Sequence, residues 1–181
     1  EEDWDNVILL DACRYDQFKR VNWIPGELDY RISRGSATPE FLTANFQGET
    51  AHDTVYVTAN PQYRAHRIRE EIGDTFFEVV DVSKSDWDES RGTVHPKDTA
   101  KRAIETYEKY PNKRLFVHFE QPHYPFIDEG ADILDSSAGD DRLYEKAKAE
   151  SIHREEPTVW DLARHGYYDK KTVRNAYNEN L

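Results

Sequence analysis

Four short apolar runs interrupt an otherwise polar chain: Val7–Asp11, Thr54–Asn60, Phe76–Val82 and Leu115–Gln121. Each reads as a strand. Val7, Ile8, Leu9 and Leu10 are uninterrupted, a pattern suited to a strand buried on both faces. In Leu115-Phe-Val-His-Phe-Glu-Gln121, alternation sets Phe116, His118 and Glu120 on one face and Leu115, Val117 and Phe119 on the other. The segments between the runs read as helices or irregular crossovers. The clearest helix, Lys97–Tyr110, carries Ala100, Ala103, Ile104 and Tyr107 on one face with charges opposite, and Pro111-Asn112 ends it. Strand, helix, strand at these spacings argues for parallel pairing with right-handed crossovers. The expected fold is α/β, a mainly parallel sheet flanked by helices in a three-layer αβα sandwich.

From Asp128 the pattern changes. Asp135–Asp141 is a loop, Arg142–Arg154 a charged helix and Pro157 a break, so 128–157 reads as a lid, an insertion or a subunit contact in a homo-oligomer. Thr158–His165 and Lys171–Leu181 read as further helices around Gly166-Tyr-Tyr-Asp169. There is no internal repeat, and 181 residues suit one domain. The chain begins with Glu1, has no methionine and stops inside a helical pattern, so it reads as a piece of something longer.

Charge narrows the partners. Acids outnumber Lys plus Arg by 36 to 24, a net charge of -12, which repels nucleic acid and anionic membranes. The acids are scattered through every segment, a pattern that points to adaptation to high salt. A single cysteine, Cys13, excludes an internal disulfide and reads as a small buried filler. No signal peptide or apolar span long enough for a membrane helix occurs, which favours a cytoplasmic location.

Candidate chemistry gathers at the ends of the strands. Asp11 closes the first run where ligands bind in open α/β sheets, followed by Arg14 and Asp16, a corner for a divalent metal or phosphate. The plainer reading is an acidic strand end paired with Arg14. Thr38-Pro39-Glu40 is a helix start, with Thr38 as cap, proline in the first turn and an acid behind it. Gly48 terminates that helix. The hydroxyl of Thr38 serves there either as the cap alone or as a nucleophile at a positive helix end, beside Ser36, Arg31 and Arg34. His118 lies on the strand beside Glu120, either hydrogen-bonded in the core or near the edge. His123, in Pro122-His-Tyr-Pro125, projects from a rigid edge loop suited to an anion or a metal.

These residues together resemble the sulfatase-like branch of the alkaline phosphatase superfamily. Asn6-Val-Ile-Leu-Leu-Asp-Ala-Cys-Arg-Tyr-Asp16 is similar to its opening strand, and Gly35-Ser-Ala-Thr-Pro-Glu-Phe-Leu42 to its nucleophile helix start. His95-Pro through Pro125 is similar to the helix and strand that close in a Pro-His-x-Pro turn. The resemblance implies that Asp11 ligates a divalent ion (zinc, calcium or manganese) and that Thr38 is the nucleophile, with Ser36 as the alternative register. It also implies that His123 steadies the transferred group, with His118, Arg14 and Arg34 in support. The implied activity is hydrolysis or transfer of phosphate or sulfate esters, with an anionic ester as substrate. The sulfatase string Cys/Ser-x-Pro-x-Arg is not reproduced, since Thr38 directly precedes Pro39 and no arginine follows. That departure points toward phosphoryl chemistry. The family's later Asp-His metal pair has no counterpart, so the chain resembles the amino-terminal part of such a catalytic domain and is expected to be inactive alone. The alternative from a different class is a non-catalytic α/β module for anion binding or assembly.

Overall fold

The computed structural model describes residues 3–64, 66–151 and 156–181. The chain divides into two compact units, Glu1–Ala12 with Ile24–Glu120, and Cys13–Trp23 with Gln121–Leu181. The apolar residues after Gln121 build a core of their own.

The first unit is an α/β layer structure. Its strands are β1 (Asn6–Asp11), β2 (Ala51–Thr58), β3 (Phe76–Asp81) and β6 (Arg114–Pro122), whose last residues pass into the second unit. They form a four-stranded parallel sheet in the order β1-β6-β2-β3, flanked by helices. Thr58 stands opposite His118 on one side and Asp81 on the other. The strands therefore deliver polar residues to a common edge.

One face of the sheet presents Val55, Val57, Leu115 and Val117, which pack with Val82 of α4 (Val82–Ser85), Val94 and Ala103. The other face presents Tyr56, Phe116 and Phe76 to Leu42 of α2 (Thr38–Phe46) and to Ile68 and Ile72 of α3 (His66–Ile72). The alternation expected for Leu115–Gln121 is thus the observed one. A short 3-10 turn, Pro61–Arg64, follows β2. Between α4 and α5 (Pro96–Lys109), β4 (Trp87–Asp88) and β5 (Thr93–Val94) pair as a small antiparallel hairpin that the apolar pattern does not announce.

Two expectations are corrected here. β1 is an edge strand, and Ile8 is 66% exposed while Val7 and Leu9 pack on the aromatic face. An apolar run of this length serves an edge strand as well as a central one, because only one face needs a partner. In α5 the inward residues are Thr99, Ala103 and Thr106, and Ile104 and Tyr107 face outward. Arg102 of that helix grips Asp86 through two bonds, at 2.9 and 3.1 Å.

The second unit is helical: α1 (Tyr15–Val21), α6 (Asp128–Asp135), α7 (Asp141–Glu150), α8 (Val159–Arg164) and α9 (Lys170–Glu179). Phe126, Leu134, Val159, Ala163, Val173, Ala176 and Tyr177 form its core. Thr158 opens α8 through a reciprocal box with Asp161: the Thr158 hydroxyl accepts from the Asp161 N–H at 3.2 Å, and the Asp161 carboxylate accepts from the Thr158 N–H at 3.1 Å. α7 is shorter than the expected Arg142–Arg154, ending at Glu150; the remainder of that expected helix, 152–154, lies outside the described residues. Among the described residues no helix is long and apolar enough to cross a membrane.

α6 and α9 cross closely at Gly130. A Cβ there would lie 2.8 Å from the carbonyl oxygen of Ala176 and 3.3 Å from the Phe126 Cβ. Gly130→Ala is therefore expected to lower the unfolding free energy by about 1–3 kcal/mol, as overpacking against backbone does. Urea denaturation measures it, and an unchanged midpoint would show that the crossing yields freely.

Candidate functional site

The polar cluster of the first unit grows from three chain segments. β1 ends in Asp11, whose side chain is 14% exposed. β2 ends just before the buried Asn60, and α2 begins at Thr38. The Thr38 hydroxyl donates to Asp11 Oδ2 at 3.0 Å and accepts from the Asn60 amide at 3.2 Å. The same amide also donates to Asp11 Oδ2. Asn60 is locked in turn: its N–H donates to the Thr58 hydroxyl at 3.1 Å and its Oδ1 accepts from the Gln62 N–H at 2.8 Å. One hydroxyl is thus held between a carboxylate acceptor and an amide donor, with little rotational freedom.

Below this triad lies an aromatic stack. Tyr56 stacks on Phe116 with centroids 5.0 Å apart, and His118 lies 6.2 Å from Tyr56 and 6.4 Å from Phe116. The Tyr56 hydroxyl meets His118 Nδ1 at 2.8 Å. Burial pushes the Tyr56 phenol well up, so it keeps its proton. The other ring nitrogen, Nε2, stands 3.8 Å from Asp11 Oδ2. The nearby carboxylate favours an imidazolium, yet His118 is 1% exposed and burial outweighs it, lowering its pKa to about 4. The ring is neutral at pH 7. Glu120 is pushed the other way: burial first, and then the charge of Asp11, raise it to about 8, so it carries its proton at neutral pH.

Of the residues singled out in the sequence, the structure brings Asp11, Thr38 and His118 together. Thr38 does not act as the helix cap. Ala37 occupies that position without a side-chain bond, Thr38 is the first helical residue, and Pro39 follows. Its hydroxyl turns to Asp11 instead of the helix amides. Ser36, the alternative register, donates its hydroxyl to Glu40 at 2.7 Å, and its N–H reaches the same oxygen at 2.8 Å. That engagement holds Glu40 well below the usual carboxylate range and ties it to its own loop.

Arg14 and His123 belong to the second unit. The Arg14 guanidinium pairs with Asp16 at 3.0 and 3.1 Å, not with Asp11 as the plainer reading has it. His123 is exposed in the loop after β6, where its Nδ1 meets the Tyr124 carbonyl. Arg34 is exposed in the loop before α2, and Arg31 pairs there with Asp29. Cys13 is half-buried, and burial raises its thiol.

Sequence reasoning missed Asn60 and Tyr56. Asn60 carried a usable signal, a polar residue closing an apolar run directly before Pro61 at the same edge as Asp11. Among the described residues no group of three or more His, Cys, Asp or Glu side chains could hold a metal ion. Asp11 with the Thr38 hydroxyl is too small a donor set for a divalent cation, which takes six or more oxygens or four mixed ligands.

Comparison of the chain with protein-family models, with curated proteins and with solved structures finds no match. What fold and site define is an α/β sheet whose carboxyl edge presents a carboxylate-bound threonine.

Proposed function

We propose that the first unit carries the nucleophile of a phosphate or sulfate ester hydrolase or transferase, sulfatase-like in its resemblance. The hydrogen bond from Thr38 to Asp11 is the observation that supports this reading most. A threonine hydroxyl aimed at a carboxylate, at the first turn of a helix, has its proton acceptor and a positive backbone end beside it. In the proposed step the Thr38 Oγ–P bond forms as the ester O–P bond breaks, and the alcohol leaves with the proton Thr38 gives up. Water then attacks the phosphothreonine and frees phosphate. His118 Nε2 stands back at 3.8 Å from Asp11 Oδ2, leaving that oxygen to the Thr38 hydroxyl and the Asn60 amide. A divalent ion belongs to this proposal only with ligands beyond those described.

The test is an assay of the protein at its full natural length on aryl phosphate and aryl sulfate esters, with zinc, manganese, calcium or chelator. Turnover of the phosphate ester that disappears in Asp11→Ala supports the reading. A folded protein that hydrolyses neither ester under any of these conditions sinks it, and leaves the non-catalytic α/β module as the better account.

A further inference from the structure

The second unit holds a cavity of about 440 Å³, a size that takes small molecules. Its wall carries five cations, Arg14, Arg20, Arg164, Lys170 and Arg174, against one carboxylate, Asp16. Across the whole chain acids outnumber Lys plus Arg by 36 to 24. The cavity therefore inverts the charge balance of the protein that surrounds it. Like charges gathered in a concavity repel, and low-dielectric walls focus their field onto whatever enters.

Only part of that charge is neutralised internally. Arg14 is held by Asp16, and Arg164 stands 3.8 Å from Asp161. Arg20, Lys170 and Arg174 make no ion pair among the described residues and lie exposed on the wall. The wall is not purely polar. Val173 and Ala163 are buried apolar neighbours, and the Trp160 ring is 52% exposed. Gln17, only 6% exposed, also belongs to the wall, and its side-chain carbonyl is met by no donor among the described residues.

We infer that this cavity binds a small organic oxyanion, a phosphate ester whose headgroup takes the arginine forks and whose ring or apolar part lies against Trp160. Guanidinium groups match phosphate oxygens two at a time, and an indole face takes an aromatic or sugar ring. A nucleic acid duplex is a poor occupant, because the rest of the chain is acidic. None of the wall residues belongs to the Asp11–Thr38 cluster, so this site stands or falls independently of the proposed hydrolase.

The experiment titrates phenyl phosphate, inorganic phosphate and phenol into the chain by calorimetry at about 0.1 M salt, where screening is moderate. It is repeated in Asp11→Ala, so that the Thr38 cluster cannot account for the result. Saturable one-to-one binding of phenyl phosphate is expected in both, weaker binding of inorganic phosphate, and none of phenol. Arg20→Gln/Arg174→Gln should lose at least about tenfold in affinity, and Trp160→Ala should bring phenyl phosphate down to the level of inorganic phosphate. Lys146→Gln removes an exposed cation of α7 outside the wall and should bind as the parent does. If the double variant does not fold, Arg174→Lys, which keeps the charge and loses the fork, should still weaken binding several-fold at an unchanged melting temperature. No saturable phosphate binding, an equal loss in Lys146→Gln, or full retention in Arg174→Lys would each overturn the assignment.

Discussion

Thr38→Ala should lower ester hydrolysis by on the order of a thousandfold or more in the protein at full natural length, as loss of a nucleophile does. The geometry makes this a cleaner test than a capping threonine would allow. Because Ala37 and not Thr38 caps α2, the substitution leaves the helix start intact. What it removes is the donor to Asp11 Oδ2 at 3.0 Å and the acceptor for Asn60 at 3.2 Å. A hydrogen bond to a charged group contributes about 1.5–3 kcal/mol, so some stability is lost alongside the rate. Asp11 keeps the Asn60 amide as a donor, which limits that loss. Melting temperature and rate should therefore be measured on the same preparations. Thr38→Ser preserves the hydroxyl and should retain most of the activity. Ser36→Ala, which breaks only an exposed bond to Glu40, should change the rate by less than about tenfold. The decisive reversal would be loss of activity in Ser36→Ala with Thr38→Ala active.

The sequence disclosed the sheet far better than it disclosed the site. Period-two alternation in Leu115–Gln121 and the length of the four runs depend only on local burial, and both faces of β6 are indeed covered inside the first unit. Helix rotation was less legible. α5 has apolar residues on one stripe, yet it buries Thr99 and Thr106 and leaves Ile104 and Tyr107 exposed, so the stripe alone does not fix which side meets the sheet. Among site residues, Asp11 and His118 were readable because strand ends in a parallel sheet converge on one edge. Arg14 and Asp11 are three residues apart, but the chain leaves the first unit between them, and spacing along a sequence carries no sign of that. His123 likewise falls within the second unit, past the boundary at Gln121. Asn60 closes an apolar run at the same edge as Asp11, but an asparagine at a strand end also looks like turn-forming polarity until its partners are known.

The buried pair behind Asp11 makes an opposite-signed imprint on stability against pH. Metal-free protein in chelator is the form to measure, since a cation near Asp11 would alter both groups. His118 titrates at about 4 in the folded protein against an ordinary 6.5. Unfolding therefore takes up a proton between those values, and its contribution is present above pH 6.5 and lost as pH falls toward 4. Glu120 titrates at about 8 against an ordinary 4.5. Unfolding releases its proton in that window, so its contribution is present below pH 4.5 and lost as pH rises toward 8. Between 4.5 and 6.5 the two slopes cancel. Above 6.5 only Glu120 remains, and over the interval to pH 8 it should cost ~2 kcal/mol, at 1.36 kcal/mol for each pH unit. The exposed carboxylates tied to arginines, such as Asp16, Asp29 and Asp140, are held below their ordinary range and are silent in this interval. Urea midpoints should accordingly be level across the mildly acidic range and fall from pH 6.5 to 8. Glu120→Gln keeps the shape of the side chain and removes the ionisation. Its curve should be flat above pH 6.5 and should instead rise from about 4 to 6.5, because the histidine slope is no longer opposed. A parent protein equally stable at pH 6.5 and 8 would mean that Glu120 is already ionised in the fold, and that burial at the sheet edge does not hold its proton.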